Sequence, residues 1–325
     1  MKEFGFLIIL SCVLISGSEV TIAAEASESK AVLVTGASTG IGLRIAQTLA
    51  KSGFHVYAGA RKARDLARLN AMENVTSVRL DVTVQEDIDA AVKFVRDEGR
   101  GLWGIVNNAG VVSLSSLATG SESDVRFTFD VNVFGPIRIN YAFLPLIMES
   151  RGRTAVIGSI NGFIASAEDG GYTASKFAME GYTDSLAEEL ADSGVHVSII
   201  DPGTYKSEIR SKMLAQQLAA ADAGEIELSE EERAEMIRTD FGNAALPEPD
   251  AVAQAVMHLM TSDTPKRRYM VVPNQEQAGW TIRSAMRRLV EINEDHPFSY
   301  DRDELISMLD ELLAERGTFG RTKEE

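Results

Sequence analysis

The sequence is almost without cysteine: Cys12 is the single one among 325 residues. One thiol excludes a disulfide within the chain and a cysteine-based zinc site. It also excludes thiol catalysis once the N-terminal apolar segment that carries it is removed. Histidine is scarce too. His55, His196, His258 and His296 show no ligand spacing, and no HExxH pair occurs, so no metal site is expected. Basic residues are outnumbered, 32 Lys and Arg against 48 Asp and Glu, for a formal charge of -16. A surface of that sign repels phosphate backbones and anionic headgroups, so nucleic acid is not expected as a partner. Apolar residues are not lacking. At 45% of the chain, beside 25% charged residues, they suffice for a folded protein with a sizeable core.

The first 26 residues stand apart. Lys2 precedes an apolar run from Phe4 to Ile15, and Ala23, Ala24 and Ala26 offer small residues for a signal peptidase. Gly17 and Glu19 interrupt the run short of the ~20 apolar residues a membrane span needs. Residues 1–26 therefore read as a secretory signal, with an uncleaved membrane anchor as the alternative. Export or association with a membrane is the expected location, and the cytoplasm is the competing one.

From Ala31 short β-branched runs alternate with longer amphipathic ones. AVLVTG, HVYAGA, TSVRLDV, GIVNNAG, TAVIGS, VHVSIIDPG and YMVVP are strand-like, each bounded by Gly, Pro, Asp or Asn. Helix-like segments run from Gly42 to Ser52, Gln85 to Asp97, Glu122 to Ser150 and Tyr172 to Ser193, the last stopped by Gly194. The alternation predicts an α/β fold, one doubly wound parallel sheet of seven strands over residues 30–273 with right-handed crossovers. Two regions depart from it. Residues 205–247 form a helix-prone, acidic insertion after the sixth strand, a position suited to a lid. Residues 274–325 form a helical C-terminal extension, whose last helix carries a capping pair, Asp301 and Glu304, an apolar stripe of Leu305, Met308, Leu309 and Leu312, and Gly317 as a stop.

The first strand runs into Thr35-Gly36-Ala37-Ser38-Thr39-Gly40-Ile41-Gly42, which opens a helix. Glycines there let the backbone approach a pyrophosphate, held by the N–H groups and dipole of the helix N-terminus. Such a turn also permits close helix packing, and its place after the first strand favours the nucleotide. Further along stand Asn107-Asn108-Ala109-Gly110, Gly158-Ser159, Tyr172 with Lys176 one helical turn later, and Pro202-Gly203 after the sixth strand. This ordered set resembles the compact branch of the short-chain dehydrogenase/reductase family, with its Rossmann domain, over about Ala31 to Val272. Around Val131 to Pro145 and Gly171 to Pro202 it is similar to hydroxysteroid and retinol dehydrogenases.

The resemblance implies a nicotinamide cofactor held by Gly36, Ser38, Thr39, Gly40, Ile41 and Gly42, by Asp81 at the adenine, by Asn108, Ala109 and Gly110, and by Tyr172, Lys176, Pro202 and Gly203 near the nicotinamide. Ser207 stands where the family has a threonine on the carboxamide. At the end of the second strand the usual acid is replaced by Ala60, followed by Arg61, and a guanidinium there can bind a ribose phosphate. NADP(H) is the expected cofactor and NAD(H) the alternative.

Hydride transfer at a carbinol carbon requires the hydroxyl proton to move as well. A free tyrosine, with a pKa of about 10, is a scarce base at neutral pH, and a neighbouring cation favours its phenolate. The family pattern assigns Tyr172 as general acid/base, Lys176 as the cation that lowers its pKa, and Ser159 as donor to the substrate oxygen. Asn132 matches a helix asparagine that holds a water on a proton relay, or else satisfies a helix kink. Met213, Leu214, Leu218 and Met236 in the insertion can line an apolar pocket or simply pack.

The expected activity is interconversion of a hydrophobic secondary alcohol and a carbonyl, by a homodimer or homotetramer as the family resemblance implies. A non-catalytic NADP sensor would have lost Tyr172 or Lys176. An extended-branch sugar-nucleotide epimerase or dehydratase would have one residue fewer between Gly36 and Gly40.

Overall fold

A computed structural model describes residues 30–112, 116–165, 167, 169–224, 227–234, 237 and 245–315. The proposed signal or anchor, Met236, Gly317 and the side chain of Met213 lie outside them.

Seven strands form one parallel sheet in the order β3-β2-β1-β4-β5-β6-β7. They are β1 Ala31–Val34, β2 His55–Ala60, β3 Val75–Arg79, β4 Gly104–Asn107, β5 Arg153–Ile157, β6 His196–Pro202 and β7 Arg268–Val271. Alternation along β1 explains the two layers. Val32 and Val34 enter one core with Ile45, Ala46 and Leu49 of α1 (Gly40–Lys51), while Ala31 and Leu33 enter the other with Ile139, Phe143 and Ile147. Each of these large side chains is fully buried, worth roughly 1.5–3 kcal/mol of transfer free energy. α1 shares its layer with α8 (Asp250–Thr261); α3 (Gln85–Asp97) and α5 (Gly135–Ser150) share the opposite one. The strand order reverses between β1 and β4, which opens a crevice at their carboxyl ends.

A single helix over 122–150 was expected; the structure has α4 (Glu122–Phe129), a π-helical turn at Asp130–Phe134, and α5. Pro136 accounts for the break. It has no N–H to offer the Asn132 carbonyl four residues back, so regular α-helical bonding cannot pass through this turn. By composition the stretch is apolar enough to cross a membrane, but over half of its most apolar 18-residue window is buried inside the protein, as in a core helix.

The remaining helices are α2 (Ala63–Asn70), α6 (Gly170–Glu189), α7 (Glu208–Asp222), α9 (Gln275–Ile292) and α10 (Arg302–Glu315). The α10 cap forms as its sequence indicates: Asp301 N–H donates to Glu304 at 2.8 Å, and Glu304 N–H donates to Asp301 at 2.9 Å. Its stripe is another matter. Met308, Leu309 and Leu312 are exposed and pack on no core among the described residues.

Candidate active site

The glycine turn and the NNAG turn are built as one unit. Thr35 Oγ1 accepts the N–H groups of Asn108 and Ala109, both at 3.0 Å, and Asn108 Nδ2 donates to the carbonyls of Thr35 at 3.0 Å and Gly36 at 3.1 Å. Gly36 has a φ of +63°, and an added Cβ would stand 2.9 Å from the Ala109 Cα. A Cβ at Gly42 would stand 2.3 Å from Asn108 Nδ2 and 2.5 Å from the Gly36 carbonyl oxygen. The glycines therefore keep two backbone segments in contact and leave the first turn of α1 open to the crevice. That turn contains no acid. Donors, a positive dipole end and a cradle a side chain would fill all suit a pyrophosphate.

At the outer end of the crevice Arg61 follows β2 and its guanidinium lies 3.4 Å from Asp81. Burial pushes the Asp81 carboxyl up. Hydrogen bonds from the hydroxyl and N–H of Thr83, together with the Arg61 charge, outweigh that and hold it below its ordinary value. Arg68 of α2 was not among the expected residues, yet its side chain donates to the Ser38 carbonyl. The two arginines bring positive charge to the rim of the glycine turn.

At the inner end Ser159, Tyr172 and Lys176 come together from the end of β5 and the first two turns of α6. Ser159 is buried, and its Oγ accepts the Asn161 N–H at 3.1 Å, which leaves the hydroxyl hydrogen to donate elsewhere. The Lys176 ammonium lies 5.5 Å from the centre of the Tyr172 ring and donates to the Ile157 carbonyl at 2.8 Å. Burial lowers its pKa to about 8, against the opposing pull of Asp201 and Glu180. Asn132 lies in the π-helical turn. Its Nδ2 donates to the Val111 carbonyl at 2.9 Å and to Ser175 Oγ at 3.1 Å, and its Oδ1 accepts the Val111 N–H at 2.8 Å. Both amide hydrogens are thus engaged, and the side chain ties the NNAG segment to α6.

Gly203 is held against β7 by its N–H bond to the Val271 carbonyl at 2.7 Å. Ser207 caps α7, accepting from Ile209 N–H at 3.2 Å, and its Oγ would be 3.6 Å from a Cβ at Gly40, beside the glycine turn. The insertion closes on itself here. Lys206 N–H donates to the Pro247 carbonyl at 3.0 Å, and Lys206 Nζ pairs with Glu248 at 2.8 Å.

Four further residues escaped the sequence reading. Gln277 of α9 is buried and accepts the Thr204 N–H at 2.8 Å, so the C-terminal extension reaches the Pro-Gly turn. The buried Glu180 and Asp201 cluster behind Lys176 with the half-buried Arg268. For Glu180 a signal existed: Tyr172, Lys176 and Glu180 follow one another at four-residue spacing on one helix face.

A family profile described as short chain dehydrogenase matches residues 30–218. The uncharacterized oxidoreductase YbbO of Escherichia coli strain K12 is 35% identical over 244 residues, covering 74% of this chain and 85% of its own length. The mitochondrial D-beta-hydroxybutyrate dehydrogenase of Bos taurus is 31% identical over 273 residues, covering 74% and 76%. Among solved structures, a single-residue variant of the actinorhodin polyketide ketoreductase, with NADPH, superposes with a TM-score of 0.63 at 26% identity, over 76% of this chain and 96% of that one. The chain belongs to the short-chain dehydrogenase family and is an enzyme acting on CH–OH groups.

Proposed function

We propose that this short-chain dehydrogenase interconverts a hydrophobic secondary alcohol and its ketone, with NADP(H) as the preferred cofactor. The observation that carries the reading is the convergence of Ser159, Tyr172 and the buried Lys176 beside a cradle fitted to a pyrophosphate. The glycine turn, Asn108 to Gly110, Pro202, Gly203 and Ser207 would hold the cofactor. When bound, it supplies or accepts the hydride.

The chain's own residues handle the proton. Ser159 Oγ–H donates to the substrate oxygen and fixes it near the Tyr172 hydroxyl. Tyr172 releases its proton to that oxygen as a ketone is reduced, or takes it as an alcohol is oxidised. The Lys176 ammonium stabilises the phenolate, each unit of lowered tyrosine pKa representing about 1.4 kcal/mol. Asn132 keeps the π-helical turn and α6 in register. Replacing Tyr172 with Phe is expected to remove all but a few per cent of turnover while cofactor binding, measured by fluorescence titration, persists; greater residual activity refutes the assignment.

Support for an apolar substrate comes from the crevice mouth. Leu117 packs on Gly170 next to Tyr172 and is 62% exposed, and Leu214 and Leu218 of α7 are half-buried in the insertion that starts beside Gly203. The clasp at Lys206 supports the lid reading of residues 205–247. Arg61 and Arg68, with Ala60 in place of an acid, support NADP(H) over NAD(H). A lower Michaelis constant for NADH than for NADPH would refute that preference, and a screen over steroids, retinoids and simple ketones would fix the substrate. Exposed Phe127, Phe134, Tyr141 and Met148 on α4 to α5 support self-association, which light scattering checks. The N-terminal segment we take as targeting the enzyme to a membrane-bounded compartment or surface. Equal cytosolic solubility of the full chain, with its N-terminus intact, and of a form starting at Ser27 would overturn this.

A further inference from the structure

Behind Lys176 lie two carboxyl groups for which proton transfer at Tyr172 has no use. Glu180 follows Lys176 by one turn of α6, and Asp201 is the fully buried residue before Pro202 in β6. Their oxygens are held unequally. Asp201 Oδ1 accepts the Ser159 N–H at 3.2 Å. Glu180 Oε2 accepts from Arg268 Nε at 2.8 Å, and the same guanidinium donates to both carboxylate oxygens of Asp184 at 3.1 Å. Asp201 Oδ2 and Glu180 Oε1 are both buried with no donor, although the two carboxyl groups are in hydrogen-bonding contact.

Two carboxylates only accept, so they cannot bond to each other, and two buried acceptors left without a donor are destabilising. The backbone closes the space around them. A Cβ at Gly158 would lie 2.1 Å from Asp201 Oδ1, and one at Gly162 would lie 2.8 Å from Glu180 Oε1. The charges give the same answer. The groups facing the pair are Lys176 and Asp184 on α6 and Arg268 on β7; two cations balance two anions only if one of Asp201 and Glu180 is neutral. Glu180 is anchored to Arg268, which leaves Asp201 to carry the proton.

We propose that Asp201 and Glu180 share one proton, Asp201 Oδ2–H donating to Glu180 Oε1, and that the pair, with its single negative charge, is a positioning element holding Lys176 cationic and the Ser159 segment in place. Burial and the neighbouring Glu180 push the Asp201 carboxyl well above the ordinary carboxylate range, in keeping with this. The effect on Lys176 is direct. Its burial already brings its pKa to about 8, and loss of the pair's charge would lower it further and leave the lysine neutral where a cation is needed. The role of the pair in turnover rests on the proton-transfer reading of Tyr172 and Lys176; its proton does not.

Infrared spectroscopy of the wild-type enzyme in D2O at neutral pH should show the C=O stretch of a protonated carboxylic acid, lost in both E180Q and D201N, where the amide N–H donates to the remaining carboxylate. Because either single variant keeps one negative charge, the basic limb of kcat/KM for ketone reduction should stay within about half a pH unit in each. It should fall by about one pH unit or more in the double variant E180Q/D201N. Absence of the band from the wild type, or a single variant that moves the limb as far as the double, overturns the proposal. If the double variant fails to fold, the wild-type and single-variant spectra decide alone. Full turnover by Y172F would instead sink the proton-transfer reading and leave the infrared result standing.

Discussion

Gly42→Ala tests whether the two turns of the cofactor cradle act as one unit. The added methyl would fall 2.3 Å from Asn108 Nδ2 and 2.5 Å from the Gly36 carbonyl oxygen, so one or both must move. If Asn108 swings away it loses its bonds to the Thr35 and Gly36 carbonyls, about 0.5–1.5 kcal/mol each. If the backbone yields instead, overpacking costs about 1–3 kcal/mol. Alanine is the better helix former, but by only about 1 kcal/mol, too little to reverse the sign. The net loss is therefore up to about 2 kcal/mol, or at most roughly 8 °C in Tm for a domain of this size. Because the displaced groups line the proposed pyrophosphate site, the dissociation constant for NADPH should rise at least about tenfold, which is about 1.4 kcal/mol. Scanning calorimetry and fluorescence titration measure the two effects. A variant with wild-type Tm and wild-type NADPH affinity would refute the coupling of the two turns.

Lys176 should make stability rise with pH where activity falls. Its pKa in the folded enzyme is about 8 against an ordinary 10.5, so between those values the unfolded chain binds more protons and the folded state gains about 3 kcal/mol as pH increases. The stability difference between wild type and K176M, from urea melts, should grow over that interval as ketone reduction declines; a flat difference would show that Lys176 titrates normally. Asn132→Ala removes three side-chain bonds that tie Val111 to α6 and should cost about 2–4 kcal/mol in urea melts, whereas a loss below about 1 kcal/mol would mean that water replaces the amide.

The sheet was legible because a buried parallel strand has a plain signature, a short β-branched run ended by Gly, Asp or Pro, and all seven runs lie in one sheet. Ser159, Tyr172 and Lys176 could be picked out only together, because their order and spacing along the chain resemble the family's pattern; a Tyr and a Lys four residues apart are common on any helix. The break at Asp130–Phe134 was harder, since Asn132 is defined by what it reaches, Val111, 21 residues away. Pro136, the residue that forbids regular bonding there, was in view. Glu180 and Asp184 look like the solvated face of a helix until Arg268, 88 and 84 residues further on, is placed against them. The α10 stripe shows the limit from the other side: periodicity predicts that a helix has an apolar face and says nothing of what covers it.

The -16 charge and the proposed NADP(H) preference pull in opposite directions, and the structure indicates how the conflict resolves. An anion approaching this protein meets net repulsion, screened beyond about 8–10 Å at physiological ionic strength. Attraction must therefore be local. α2, α3 and α4 each carry acids in the first turn, where they complement the helix dipole; α1, at the glycine turn, carries none and leaves its positive end for a ligand. Arg61 and Arg68 stand at the outer end of the crevice and the buried Lys176 at the inner end. Each arginine has a carboxylate beside it, Asp81 at 3.4 Å from Arg61 and Asp65 at 3.6 Å from Arg68, and the Thr83 hydrogen bonds help hold Asp81 ionised. A cofactor phosphate at Arg61 would compete with Asp81 for the same guanidinium, so any preference for NADP(H) is the difference between two pairings of one arginine, and weakening the Asp81 partner should enlarge it.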